Sequence, residues 1–109
     1  MTALEPGAWV LGRYRSGDFY FPGVVQHVGN GSVTIGYDDG DRETLPEHLT
    51  KPYDWAVGSR IEAIWSGNGQ WYEAEIIAAA PNGSDLIVRF LDDGIEETTV
   101  TARCRERAT

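Results

Sequence analysis

Long hydrophobic runs are missing from this sequence of 109 residues. The longest uncharged apolar run is IIAAAP, residues 76 to 81, whereas a membrane-spanning helix needs roughly 20 residues. The first residues, MTALEP, also lack the basic and then apolar pattern of a secretion signal. We therefore expect no membrane partner and an intracellular location, in the nucleus if the source is eukaryotic and in the cytoplasm if it is bacterial.

Cysteine is almost absent, since Cys104 stands alone near the C-terminus. A single cysteine can form no internal disulfide and provides no cysteine-based metal site, so we interpret it as an inert or exposed thiol. The Asp-Asp pairs at 38–39 and 92–93 offer the oxygen ligands that hard cations prefer. No further ligand follows either pair at loop spacing, and we predict no metal site and no cofactor.

Positive charge is scarce, with 9 Lys and Arg against 17 Asp and Glu and a net charge of -8. Such a surface repels phosphates and opposes the counterion release that drives nucleic-acid binding, so nucleic acid is not an expected partner. The one basic cluster, Arg103, Arg105 and Arg107, alternates with other residues as a closing edge strand would. We prefer that strand to a basic patch, and a nucleic-acid binder with a hidden basic groove is the weakest alternative.

Catalytic constellations are also missing. His27 and His48 are isolated and have no nearby nucleophile or paired carboxylate. The two Gly-Asn-Gly stretches, 29 to 31 and 67 to 69, are typical of hairpin turns and do not match a phosphate-binding loop. We therefore predict that the protein is not an enzyme and has no catalytic residues.

What the sequence does contain is an internal repeat. Residues 6 to 25 align with residues 57 to 76 at a constant offset of 51, so that Gly7 matches Gly58 and Val25 matches Ile76. Small insertions then bring the turn YDDG onto the turn FLDDG. We predict two tandem modules, 1–52 and 53–109, each small for an independent domain.

Within each module the apolar residues recur with a period of 2, which favours strands over helices. In the second module, one face of three successive strands carries Ile61, Ala63 and Trp65; Tyr72, Ala74 and Ile76; and Leu86, Val88 and Phe90. The corresponding residues of the first module are Val10, Gly12 and Tyr14; Phe21, Gly23 and Val25; and Val33, Ile35 and Tyr37. The pattern predicts an all-β protein made of two tandem small SH3-like antiparallel barrels packed together.

The aromatic residues that end these rows should meet at one rim of each barrel. In an antiparallel meander, the end of strand 1, the start of strand 2 and the end of strand 3 lie at the same edge. The Asp-Asp-Gly turn after strand 3 lies at that edge as well. Aromatic faces beside a carboxylate suit an alkylated ammonium or guanidinium group. The predicted ring sets are Trp65, Tyr72 and Phe90, and Tyr14, Phe21 and Tyr37.

The stretches VTIGYDDGDRETLP, RIEAIWSGNGQWYEAEI and LIVRFLDDGIEE resemble Tudor domains of the wider group that includes Agenet, PWWP and chromo-type barrels. The resemblance covers nearly the whole chain as two units. It implies that an aromatic cage with an acidic residue binds methylated lysine or arginine in a peptide. By position, Asp93 would complete the second cage, and Asp39, with Asp41 as a further contact, would complete the first. Both copies depart from the pattern, since Asp replaces the fourth ring that many such cages carry in this turn.

Two functions remain open at this stage. The first is a non-enzymatic module that recognises a basic peptide or protein tail, with methylated lysine or arginine entering the cages; the acidic surface favours encounter with such partners. The alternative is a structural or scaffolding module for protein–protein interaction whose rim aromatics only pack. The oligomeric state is not predicted.

Overall fold

The computed structural model describes residues 4–80 and 84–108, whose regular structure consists of strands and short 3-10 turns. In these ranges, no helix is both long enough and apolar enough to cross a membrane. Residue contacts divide the chain into two compact units. The first unit comprises the described residues up to Tyr53 together with Ala108, and the second unit comprises Asp54–Arg107. Tyr53, placed in the second module from the sequence, packs edge-on against Trp9 of the first unit, with ring centroids 5.3 Å apart.

The first unit is an antiparallel meander in which β2 pairs with β1 and β3, and β3 pairs with β4. Its strands are β1 (Trp9–Arg13), β2 (Phe19–Val28), β3 (Ser32–Tyr37), β4 (Arg42–Pro46) and β5 (Thr50–Pro52). A 3-10 turn, Glu47–Leu49, leads from β4 into β5, which returns to pair with β1. The resulting order is β5-β1-β2-β3-β4.

The second unit repeats this arrangement strand by strand. Its strands are β6 (Arg60–Ile64), β7 (Trp71–Ala79), β8 (Asp85–Phe90), β9 (Glu96–Val100) and β10 (Cys104–Arg107). The turn Thr101–Arg103 leads into β10, which pairs with β6 and gives the order β10-β6-β7-β8-β9. The predicted all-β fold with two tandem SH3-like units is confirmed. Of the three arginines in the tail, Arg105 and Arg107 lie in β10, the closing strand that their alternation predicted, and Arg103 ends the turn before it.

The observed burial of side chains follows the period-2 pattern predicted from the sequence. The core of the first unit consists of Val10, Val25, Val33, Ile35, Tyr37 and Leu45, and the second unit buries Ile61, Ala63, Ala74, Ile76, Leu86, Val88 and Phe90. Glycine is required at position 12, because a Cβ there would lie 2.5 Å from Ile35 Cδ1. The repeat extends to backbone geometry as well, since Gly7 and Gly58 both adopt positive φ, +91° and +96°.

Candidate functional site

The second unit has a pocket of about 200 Å³ at the rim predicted from the sequence. The pocket is lined by Trp65, Tyr72, Phe90, Asp92 and Asp93. Trp65 directly follows β6, Tyr72 lies at the start of β7, and Phe90 ends β8. Because these three strands are antiparallel neighbours, the three rings meet at one edge. The fold therefore brings all four predicted site residues of this unit together, with Asp92 in addition.

The three rings stand as successive walls around the pocket. The Tyr72 ring is nearly perpendicular to both neighbours, at 85° and 6.1 Å from Trp65 and at 89° and 6.4 Å from Phe90. Phe90 is only 4% exposed and belongs to the core, whereas Trp65 and Tyr72 are half-buried. Edge-to-face pairs of this kind are favourable in themselves, so the rings can hold their positions without a ligand.

The loop between β6 and β7 holds the Trp65 and Tyr72 walls. The amide group of Asn68 donates to the Tyr72 hydroxyl at 2.7 Å, and its Oδ1 accepts from Gln70 N–H at 2.9 Å. The backbone N–H of Trp65 donates to the Gln70 carbonyl at 2.9 Å. Gly67 lies against the indole, because a Cβ there would be 2.5 Å from Trp65 Cζ2. The sequence of this loop indicates only a hairpin turn, so Asn68 and Gly67 were not predicted as supports of the site.

The turn from β8 to β9 places the two carboxylates differently. Phe90 N–H bonds to the Ile95 carbonyl and Gly94 N–H to the Phe90 carbonyl, both at 2.9 Å. Asp93 Oδ1 accepts from Ile95 N–H at 3.0 Å, so Asp93 stabilises the turn. Asp92 lines the pocket, and its carboxylate makes no hydrogen bond or ion pair with the described part of the chain. Both aspartates of this turn were expected beside the rings, but only Asp93 was assigned to the cage.

The corresponding cluster of the first unit is more tightly engaged. Tyr14 lies edge-on to Phe21 and Tyr37, with ring centroids 5.9 Å and 5.5 Å apart. Tyr37 is 5% exposed, and its hydroxyl donates to Glu43 Oε1 at 2.9 Å. Burial, reinforced by the hydrogen bond to Glu43 and by its negative charge, raises the pKa of Tyr37 well above its ordinary value. Phe90 has no such hydroxyl, so the two units differ at matching positions.

A cation from the chain itself already lies on the first cluster. The guanidinium carbon of Arg15 is 5.3 Å from the Tyr14 ring centroid, and Arg15 Nε donates to the Tyr14 hydroxyl at 3.1 Å. Arg15 N–H donates to both carboxylate oxygens of Glu43, at 3.0 Å and 3.2 Å. Its backbone is left-handed, with φ +52°, which is uncommon for a residue with a side chain. The predicted acidic partners lie on the exposed turn, where Asp39 Oδ1 accepts from Asp41 N–H at 3.0 Å.

Other groups with chemical potential lie apart from these clusters. His27 and His48 are exposed, on β2 and in the turn after β4. Within residues 4–80 and 84–108, no group of three or more His, Cys, Asp or Glu side chains could hold a metal ion. Cys104 is fully buried, and burial raises the pKa of its thiol to about 12. The arrangement supports binding of a cationic group in the pocket of the second unit.

Comparison with curated proteins finds the Survival of motor neuron-related-splicing factor 30 of several vertebrates. The Bos taurus protein is 35% identical over 68 residues, which cover 62% of this chain and 26% of that protein. The Xenopus tropicalis protein is 40% identical over 45 residues, 41% of this chain and 19% of that protein. The chain thus spans about a quarter of the length of the curated relatives it matches. No family model matches the chain.

Similar solved structures include the ADCP1 tandem Agenet domain 3-4, at 18% identity and a TM-score of 0.42, covering 95% of this chain and 80% of that one. Another is the human TDRD1 extended Tudor domain in complex with a symmetrically dimethylated peptide, at 20% identity and a TM-score of 0.44. This match covers 95% of this chain and 52% of the TDRD1 chain. Agenet and Tudor domains are the families that the sequence resembles.

Proposed function

We propose that the protein is a non-catalytic binding module that takes a methylated lysine or arginine side chain of a basic peptide into the pocket of its second unit. The observation that carries the proposal is the pocket itself, with three aromatic walls and with Asp92 on one rim, whose carboxylate has no partner among the described residues. Methyl groups spread the positive charge over an apolar surface that ring faces attract. The carboxylate adds attraction for the net charge.

The number of rings limits the strength of binding. Each ring contributes about 1 to 2 kcal/mol to the binding of a cation, so three rings support dissociation constants from roughly millimolar to tens of micromolar. The negative charge of the protein increases the rate of encounter with basic peptides and makes it sensitive to salt. Such an affinity suits reversible recognition of a modified tail.

The first unit is the weaker of the two sites in this proposal. Arg15 lies on the Tyr14 ring and Glu43 holds the Tyr37 hydroxyl, so a ligand there must compete with contacts already made. The predicted residues Tyr14, Phe21, Tyr37, Asp39 and Asp41 then serve mainly to pack and close the first unit. Binding to both units by one ligand would raise the affinity by avidity only if the first cluster opens.

Isothermal titration calorimetry with free trimethyllysine and dimethylarginine, and with their unmethylated forms, tests the proposal. We expect heat of binding for the methylated forms only. Asp92→Asn should weaken binding several-fold, whereas Glu75→Gln, which removes one negative charge from the same unit outside the pocket, should have little effect. Equal binding of methylated and unmethylated forms, or no binding of either at tens of millimolar, would refute the cage and favour packing or scaffolding.

A further inference from the structure

An exposed apolar residue lies beside the pocket, on the outer surface of the same strands. Leu91 follows Phe90 and is 37% exposed, and its N–H donates to the Glu73 carbonyl at 3.1 Å. Phe90 pairs with Ala74, and both of these side chains are buried. Because side chains alternate along a strand, Leu91 and Glu73 both face outward and are cross-strand neighbours at the rim of the pocket.

The Glu73 carboxylate beside Leu91 has no cationic partner in the described part of the chain. On its other side it faces Glu62 across the β6–β7 pair. Glu62 is already engaged, since Arg105 Nη2 lies 2.8 Å and Arg107 Nη2 lies 3.6 Å from its carboxylate. Because both arginines lie on Glu62, the charge of Glu73 is left for a cation that a ligand supplies.

The first unit has different residues at the same place. Asp38 corresponds to Leu91, and Pro22 corresponds to Glu73. The matching hydrogen bond is present, because Asp38 N–H donates to the Pro22 carbonyl at 2.9 Å. The buried Pro22 offers no carboxylate and Asp38 offers no apolar surface. An apolar residue beside an unpaired carboxylate is therefore found at the rim of the second unit, which has the open pocket, and not at the corresponding rim of the first.

We propose that Leu91 and Glu73 form a second contact for the peptide whose methylated side chain enters the pocket. The partner is then a peptide with an apolar residue and a second positive charge within about three positions of the methylated residue. An extended chain advances about 3.3 Å per residue, so residues at this separation reach the outer rim. The inference rests on the proposed function and adds to it the sequence context that the site selects.

Two heptapeptides with a central dimethylarginine or trimethyllysine test the inference. One carries leucine and arginine within three positions of the centre, and the other carries serine at both places. Both are titrated into the wild-type chain, Leu91→Ser, Glu73→Gln and the control Ile87→Ser. Ile87 is exposed to a similar extent, 36%, on the same outward face of β8, further from the pocket. The free methylated amino acid is titrated in parallel.

We expect the wild type to bind the leucine–arginine peptide about five- to tenfold more tightly than the serine peptide, from partial burial of Leu91 and one rim ion pair. Leu91→Ser should remove most of this preference, and Glu73→Gln should remove the part of it that depends on salt. Ile87→Ser should leave the preference unchanged, and all three variants should bind the free amino acid as the wild type does. If the free amino acid binds but the preference is absent or survives both variants, the inference is wrong and the proposed function stands. If the free amino acid fails to bind, both are wrong.

Discussion

Gly67→Ala should disable the pocket without unfolding the chain. A Cβ at position 67 would lie 2.5 to 2.7 Å from three carbons of the Trp65 indole, about 1 Å closer than an ordinary carbon–carbon contact. The backbone of Gly67 is not left-handed, so alanine is tolerated there and the indole has to move. Displacement of Trp65 from its preferred rotamer costs about 0.5 to 1.5 kcal/mol.

The expected loss of affinity follows from the displaced ring. Loss of one ring face removes about 1 to 2 kcal/mol of cation binding, which corresponds to a roughly 5- to 30-fold weaker dissociation constant. Calorimetric titration with the free methylated amino acid measures the loss, and thermal unfolding measures the small change in stability. Gly29→Ala serves as the control, since its Cβ would meet only the rotatable hydroxyl of Ser32. Unchanged affinity in Gly67→Ala would show that the indole does not form a wall of the site.

Three further changes have predictable results. Tyr37→Phe should lower the free energy of unfolding in urea by about 1.5 to 3 kcal/mol, the worth of a hydrogen bond to a charged group, and an unchanged midpoint would contradict the role of Glu43. Arg15→Ala should uncover the Tyr14 ring and let the first unit respond to trimethyllysine in NMR spectra; a silent Tyr14 would contradict this. Folding raises the pKa of the Cys104 thiol from 9.0 to about 12, so between these values the unfolded chain loses the thiol proton and the folded chain keeps it. The contribution of this group to the free energy of unfolding is therefore fully present below pH 9, and it falls by up to about 1.4 kcal/mol per pH unit as the pH rises towards 12. Cys104→Ala should remove that slope in urea unfolding measured between pH 8 and 11, and an identical slope in both proteins would refute it.

Much of the fold follows from local patterns in the sequence. Alternating apolar residues and the Gly-Asn-Gly and Asp-Asp-Gly turns indicate the long strands and their hairpins, and antiparallel geometry then places the three rings of each unit at one rim. Trp65, Tyr72 and Phe90 were expected to meet in this way, and they line one pocket. The alternating arginines indicated β10, whereas β5 has only three residues, too few for a period, and depends on its pairing with β1.

The finer features of the site depend on contacts between distant residues. Asp92 and Asp93 differ because Ile95 N–H donates to Asp93 and not to Asp92. Two adjacent aspartates in a sequence give no indication of which one accepts this hydrogen bond. Arg15 has no local signal for a left-handed conformation, and the carboxylate that holds its N–H belongs to Glu43, 28 residues further along. The difference between an engaged first cluster and an open second one therefore required the structure.

A two-dimensional NMR titration of the four tryptophan indoles with trimethyllysine and dimethylarginine tests the account most directly. Trp65 is the only one of the four that lines the described pocket, so Trp9, Trp55 and Trp71 act as internal controls. We expect a methylated ligand to shift the Trp65 indole and the amides of residues 92 to 94, and we expect no such shift from its unmethylated form. Shifts confined to the other indoles, or identical shifts with unmethylated ligand, would contradict a methyl-cation site in the second unit.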